Sequence, residues 1–178
     1  MDITDAARRY SKSWADTDGS PLILRHIAAT DAELILAFVH GLSFGTRYFR
    51  FGSGDREFTA QEVQRVCTPN PAEAVHFIVV RHGKKGDDVI GSARIAHAAG
   101  GSTCELGIAV SDRWQTKGLG KVLVQSLVDA ARERGLREMH ARIQGTNRRM
   151  VRFVTGCGFQ VGDSTEGPAI KLAVLPLD

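Results

Sequence analysis

The stretch WQTKGLGK, Trp114 to Lys121, sets two glycines one residue apart at the start of a long segment with helical spacing. Glycine inside a helix is about 1 kcal/mol less favourable than alanine, so its presence there asks for a compensating cause. A helix N-terminus presents unpaired N–H groups and the positive end of the helix dipole, which together suit an anion. Glycine at 118 and 120 would let an anionic group come close to the main chain. Lys121 points the same way, because a cation in the first turn is unfavourable beside the dipole unless an anion sits there too. The alternative is a tight strand-to-helix turn with a solvated lysine. Two nucleotide motifs are excluded by spacing: Gln115 and Val122 break the pattern G-x-x-x-x-G-K-[ST], and Leu123 stands at the third glycine of G-x-G-x-x-G. Just upstream, CELGIAV alternates Cys104, Leu106, Ile108 and Val110 against Glu105, Gly107 and Ala109, which puts a carboxylate on a strand leading into the turn. Glu105 can serve as a base, or it can face solvent or pair with Arg94 or Arg142. The six histidines have no metal-ligand spacing, and no nucleophile dyad involves Cys104 or Cys157.

Around these residues the chain alternates short strands and amphipathic helices. Residues 1–20, polar and ending in DTDGS, read as an arm ahead of a domain over 21–178. LILRHI reads as a strand. Thr30 is placed to cap a helix bearing Leu34, Ile35, Phe38 and Val39, and Thr59 with Glu62 forms a second capping box. AVHFIVV and DDVIGSARIAH read as strands joined through RHGKKG. After CELGIAV and the glycine turn, Leu119, Val122, Leu123, Leu127, Ala130 and Ala131 form a helical stripe that RERG ends. A strand LREMHARIQ, a helix TNRRMVRFVTGCG and strands GFQV and PAIKLAVL follow. The order β-α-α-β-β-β-α-β-α-β-β is that of a mixed α/β layer fold, with the turn between its fourth strand and third helix.

Composition limits the partners. At 178 residues, with 43% hydrophobic and 24% charged residues, the chain suits one soluble domain. A net charge of +3 fits a phosphate-bearing ligand and is too small to argue for nucleic acid. Three scattered cysteines argue against a disulfide framework, no apolar run approaches a membrane span, and MDITDAARRYSKSW lacks the apolar core of a signal peptide. A cytoplasmic protein is expected, with neither membrane nor metal.

QTKGLG has the form Q/R-x-x-G-x-G/A. Preceded by ELGIAVSDRW and followed by a helix, a strand and N…GCGF, it resembles the acetyl-CoA-binding core of the GNAT acetyltransferase superfamily, from roughly Pro21 to the C-terminus. LSFGTRYFRF together with DRWQTKGLG resembles the acetyltransferase domain of bacterial Pat-type protein lysine acetyltransferases. The resemblance implies a single domain with a twisted, mostly antiparallel sheet of about seven strands and about four helices. It implies that main-chain amides around Gln115, Lys117, Gly118, Leu119, Gly120 and Lys121 bind the diphosphate of coenzyme A. The main chain of Ile108, Ala109 and Val110 would pair with the pantetheine arm where the fourth and fifth strands splay apart. Asn147, apt to cap its helix, would contact the cofactor as well.

The implied reaction moves an acetyl group from acetyl-CoA to a primary amine within a ternary complex, with a protein lysine as favoured acceptor and a small-molecule amine as runner-up. A lysine of pKa about 10.4 is free amine only about once in a few thousand molecules at neutral pH, so a proton acceptor is needed. A carboxylate at the matching strand position serves as general base in Pat-like enzymes, which makes a partly buried Glu105 the candidate, acting directly or through a water. Many relatives carry a tyrosine further along the Asn147 helix that protonates the leaving thiolate, where this chain has Val154. That departure favours a competing expectation, a weakly catalytic module that senses acyl-CoA. RYFRF would place Arg47, Tyr48 and Arg50 at the acceptor cleft or bury its aromatics in the core, and Asp163 and Glu166 would attract a cationic amine or be solvated.

Overall fold

The computed structural model describes residues 10–178. Its strands are β1 (Lys12–Ala15), β2 (Pro21–His26), β3 (Ala74–Gly83), β4 (Gly86–Ala96), β5 (Thr103–Val110), β6 (Glu138–Gln144), β7 (Gln160–Asp163) and β8 (Ile170–Pro176). Its α-helices are α1 (Ala32–Gly41), α2 (Phe44–Phe51), α3 (Ala60–Cys67), α4 (Leu119–Glu133) and α5 (Arg148–Gly156). Among the described residues the eight strands form one sheet in the order β1-β2-β3-β4-β5-β6-β8-β7, antiparallel throughout except for the β5–β6 pair. This is the mixed α/β domain with a mostly antiparallel sheet that the sequence implies, with one strand and one helix more than expected. No helix among the described residues is long and apolar enough to cross a membrane.

The additional strand is β1. Residues 1–9 of the expected arm lie outside the described residues, but Lys12–Ala15 is the edge strand of the sheet, with Trp14 opposite Leu22. DTDGS, which reads as the end of an arm, is the turn of that hairpin. The Asp16 N–H donates to the Ser20 carbonyl at 2.8 Å, Gly19 supplies φ +79°, and Arg81 reaches both Asp16 and Asp18. The additional helix, α2, begins where the Ser43 hydroxyl accepts from the Thr46 N–H at 3.3 Å and ends at Gly52 with φ +81°. Two other helix starts differ in outcome. Thr59 and Glu62 form the expected capping box of α3. Thr30 does not cap α1, because Asp31 is drawn instead to the Ala28 N–H and to both terminal nitrogens of Arg25, each at 2.7 Å.

Two cores sandwich the sheet. On one face α4 and α5 bury Leu123, Leu127, Ala130, Ala131 and Val154 in one cluster with Val75, Phe77, Ile95, Leu106 and Met139. On the other face α1 and α3 bury Ile35, Phe38, Val39 and Val63 with Ile78, Val80 and Ala109. The period-two alternation of CELGIAV is therefore realised: Cys104 and Leu106 face α4 and Ala109 faces the opposite layer. At β4 an extra residue, Ile90, bulges the strand between Gly91 and Val89, and Gly91 admits α4 closely. A Cβ at Gly91 would lie 3.0 Å from Leu123 and 3.1 Å from Leu119.

Candidate active site

β5 and β6 run side by side only briefly. Their pairing covers Thr103–Glu138, Cys104–Met139 and Glu105–His140, after which β6 stays with β8 as far as Gln144 while β5 stays with β4 as far as Val110. From Leu106 onward the two strands diverge, and a wedge opens on the β6 side of β5. The Ser111 N–H donates to the Ile90 carbonyl on β4 at 3.0 Å, and main-chain groups alternate sides along a strand. Ala109 is thereby turned toward β4, while Ile108 and Val110 look into the wedge. Of the three residues expected to meet the pantetheine arm, Ala109 is thus the least suited by its main chain. The Val110 carbonyl accepts a hydrogen bond from Gln115 Nε2 at 3.0 Å.

The wedge leads to the glycine turn and the start of α4. Gly118 is the N-cap with φ +85°, and no side chain caps this helix. Thr116, a β-branched residue, also has φ +66°, a strained conformation. Left-handed residues set beside ordinary ones in such a turn curl N–H groups inward into an anion-binding concavity. The first intrahelical donors are Lys121 and Val122, both to the Gly118 carbonyl, at 3.0 and 3.3 Å. The amides of Leu119 and Gly120 therefore lack helical partners, whereas the Lys121 amide is engaged, so Lys121 has its side chain to offer rather than its N–H.

The two glycines have separate local causes. Gly118 needs its positive φ, and the space where its Cβ would stand is open. At Gly120 a Cβ would fall 2.9 Å from Cζ of Phe153 on α5. A side chain there would strike Phe153 before standing between the amides and a ligand, so Gly120 is accounted for by helix packing. Lys117 rests over the Trp114 ring at 4.6 Å. Gln115 is tied on both sides, donating weakly to the Thr46 hydroxyl at 3.4 Å and accepting from Arg149. Asn147 caps α5, its Oδ1 accepting from the Met150 N–H at 3.1 Å.

Glu105 is the last β5 residue paired with β6, at the apex of the wedge. Its side chain is 50% exposed rather than enclosed. Arg142 on β6 grips it in a fork, Nη2 at 2.5 Å and Nε at 3.2 Å, and turns Nη1 to Glu166 at 2.9 Å. Glu166 and then Glu105 hold the Arg142 guanidinium well above its ordinary value, so it is a fixed cation. Glu166 thus pairs with Arg142 while staying exposed to solvent, and Asp163, also exposed, is engaged by Lys171 at 2.5 Å.

On the same face, α2 lays the Arg50 guanidinium over Gly107 of β5, where a Cβ would lie 2.6 Å from Nη2. Phe44, Tyr48 and Phe49 are exposed, while Phe51 packs beside the core, so the aromatics of RYFRF divide between surface and core. Asp112 docks the start of α2, accepting from the Ser43 N–H at 2.9 Å and from the Ser43 and Thr46 hydroxyls at 2.8 Å each. Val154 is fully buried under α5 and offers no proton. Thr116, Phe153 and Asp112 carry no sequence signal for these roles. A β-branched residue does not advertise a left-handed backbone, and the other two act across the fold.

Comparison with known proteins agrees with this geometry. Residues 21–160 match the acetyltransferase (GNAT) domain family. A similar curated protein is acetyltransferase PA5475 of Pseudomonas aeruginosa, 27% identical over 148 residues that make up 82% of this chain and 80% of that one. The fold resembles the GNAT domain of S. lividans PAT, with a TM-score of 0.82 at 22% identity, covering 94% of this chain and 97% of that one. It also resembles spermidine N-acetyltransferase from Vibrio cholerae, solved with CoA and spermine, with a TM-score of 0.67 at 16% identity over 88% and 95% of the two chains. With the match spanning strands β2 to β6, the wedge, the glycine turn and both flanking helices, the chain belongs to the GNAT family and is an acetyl-CoA-dependent N-acetyltransferase.

Proposed function

We propose that this enzyme acetylates a protein lysine by direct transfer, with Glu105 taking the proton from the acceptor amine. The observation that carries this reading is the position of Glu105, the one carboxylate of β5, at the apex of the wedge and on the face where α2 stands. The likeness to the S. lividans GNAT domain and the exposed aromatics of α2 support a macromolecular acceptor. A small-molecule amine is the alternative acceptor. Three unpaired cysteines suit a reducing, cytoplasmic setting.

The residues present fit acetyl-CoA. The uncapped start of α4 and the left-handed turn at Thr116 and Gly118 suit a diphosphate, with Lys117 and Lys121 supplying charge through their side chains. The wedge edge at Ile108 and Val110 suits an extended amide-bearing arm, and Asn147 stands at the adjoining helix end. Acetyl-CoA supplies an activated carbonyl; the amine nitrogen forms the new C–N bond as the C–S bond breaks. One proton passes from the ammonium to Glu105 to free the amine; the second leaves the nitrogen as the amide forms and reaches the departing thiolate of coenzyme A through water, since Val154 has none to give. Because Arg142 already has Glu166 as a second partner, an arriving ammonium can take its place at Glu105 without leaving the guanidinium alone.

Free thiol released from acetyl-CoA, followed with and without lysine-containing proteins and small amines, tests the function. Glu105→Gln should keep cofactor affinity and slow turnover by roughly a hundredfold or more, recovering as rising pH frees the amine. Turnover at the wild-type rate in that variant at neutral pH would reassign the base. Buried Val154 and the ion-paired Glu105 favour one second reading, an acyl-CoA sensor, which cofactor binding with no thiol release from any amine would establish.

A further inference from the structure

The acceptor side of the wedge holds more positive charge than its carboxylates balance. Arg94 sits opposite Gly107 in the β4–β5 register, so Arg50, lying over Gly107, and Arg94 share one face of the sheet. Glu105 precedes Gly107 by two residues and points to that face as well, followed across the apex by Arg142 with Glu166. His76, opposite Arg94 on β3, is buried and bonded to the Ser92 hydroxyl at 2.7 Å, and burial leaves it neutral. Three guanidiniums thus face two carboxylates, and Arg142 already claims both.

Arg50 bears most of the imbalance. Among the described residues neither Arg50 nor Arg94 has a carboxylate within ion-pair distance or a side-chain hydrogen bond; the Arg50 head group lies over Gly107 and 5.2 Å from the centre of the Phe51 ring. Arg94 is exposed and can be solvated. Arg50 keeps part of its surface in water, yet protein crowds its guanidinium closely. That burial, reinforced by Arg94 and opposed by Glu105, lowers it to about 10. It is still a cation at neutral pH, and a crowded cation without a partner is costly until an anion meets it. Its position is fixed from two sides, by the Gly107 surface below and by Asp112 holding α2.

Resting on the acetyltransferase reading above, we infer that Arg50, with Arg94 behind it, forms a carboxylate subsite for the acceptor: the amine acetylated here belongs to a molecule that carries an acidic group close to that amine. Glu105 and Gly107 are two residues apart on one strand, about 7 Å, which an amine on Glu105 and a nearby carboxylate on Arg50 can span. The bidentate fork of arginine matches a carboxylate better than it would a carbonyl or hydroxyl. The acidic group has two sources, the side chain of a residue flanking a lysine or the α-carboxylate of a free amino acid.

Matched acceptors test this in wild-type enzyme: peptides whose lysine is flanked by glutamate or by glutamine, and free amino acids against their carboxamides. We expect the acid member of at least one pair to be favoured about tenfold or more in kcat/KM, with the advantage shrinking at high salt. The pair that shows it identifies the source. Arg50→Met should abolish the preference by raising KM for the acid, Arg50→Lys should restore part of it, and coenzyme A affinity reports that the variants are folded. Equal use of acid and amide in both pairs by active wild-type enzyme would overturn the subsite while leaving the acetyltransferase reading intact. So would an Arg50→Met variant that lowers kcat for every acceptor with KM unmoved, which would put Arg50 at the reacting thioester. Should Arg50→Met fail to fold, the wild-type comparison decides alone.

Discussion

Gly120 and Phe153 stand 33 positions apart and meet at a distance that leaves no room for a methyl group. Replacing glycine by alanine near a helix start would by itself gain up to about 1 kcal/mol. Here the added Cβ must push the ring of Phe153, a half-buried side chain packed against the core. We expect Gly120→Ala to destabilise the protein by about 1 kcal/mol or more, and Phe153→Leu in that background to recover part of the loss. Urea denaturation of the two variants and wild type measures both. A Gly120→Ala protein more stable than wild type would mean that α5 yields freely, and would return the glycine to a role at the ligand. Gly118 needs no such partner, since its φ of +85° is reason enough.

At the scale of elements, α2 matters because it delivers Arg50, and Asp112 gives its start a polar anchor beside the packing of Phe51. Burial alone would raise the Asp112 carboxyl, but the hydrogen bonds from Ser43 and Thr46 outweigh it and keep the group below the usual carboxylate value. A depressed carboxylate contributes stability that is present above its unfolded value and lost as pH falls through its folded value. Asp112→Ala should therefore cost about 1 kcal/mol at neutral pH and flatten the acid limb of the stability curve below about pH 4. It should also weaken any acceptor preference that depends on Arg50, because α2 loses its anchor. Denaturation at pH 7 and pH 3 checks the first part; kcat/KM for the matched acceptors checks the second. An unaltered acid limb would show that α2 is held by its packing alone.

For the whole molecule, a group that shapes pH behaviour on the acid side is His76, in the middle of β3 under the α1–α3 layer. Burial pushes its imidazole down to about 4, against a hydrogen bond with the Val66 carbonyl that pulls the other way. Its ordinary value is near 6.5, so between these limits the unfolded chain binds the proton more readily than the folded one. Stability is then full above about pH 6.5 and declines toward pH 4, by up to about 3 kcal/mol if the whole shift is expressed. His76→Gln, which cannot titrate, should start from lower stability and lose the slope in this window. Thermal denaturation from pH 7 to pH 4.5 decides, and an equal slope in the glutamine variant would assign the acid loss to other groups.

Features encoded within a few residues were legible in the sequence. The faces of CELGIAV, the Thr59–Glu62 cap, the stripe of α4 and the glycines that end α4 and α5 follow from period and φ preference, which need no distant partner. The family and the place of the glycine turn were legible for the same reason, since the motif is contiguous. What only the tertiary structure decided lies between elements. DTDGS reads equally as linker or as hairpin turn until β1 finds β2 beside it. Thr30 looks like a cap until Arg25 and Ala28 claim the next residue, Asp31. Glu105 could be enclosed or exposed on its strand; the sheet register set Arg142, 37 residues away, against it. Phe153 over Gly120 and Arg50 over Gly107 likewise depend on how helices dock on the sheet. Local sequence sets dihedral preference and periodicity, whereas side-chain charges and rings many residues apart meet only where strand order and helix packing bring them, and in this protein those meetings shape the chemistry of the wedge.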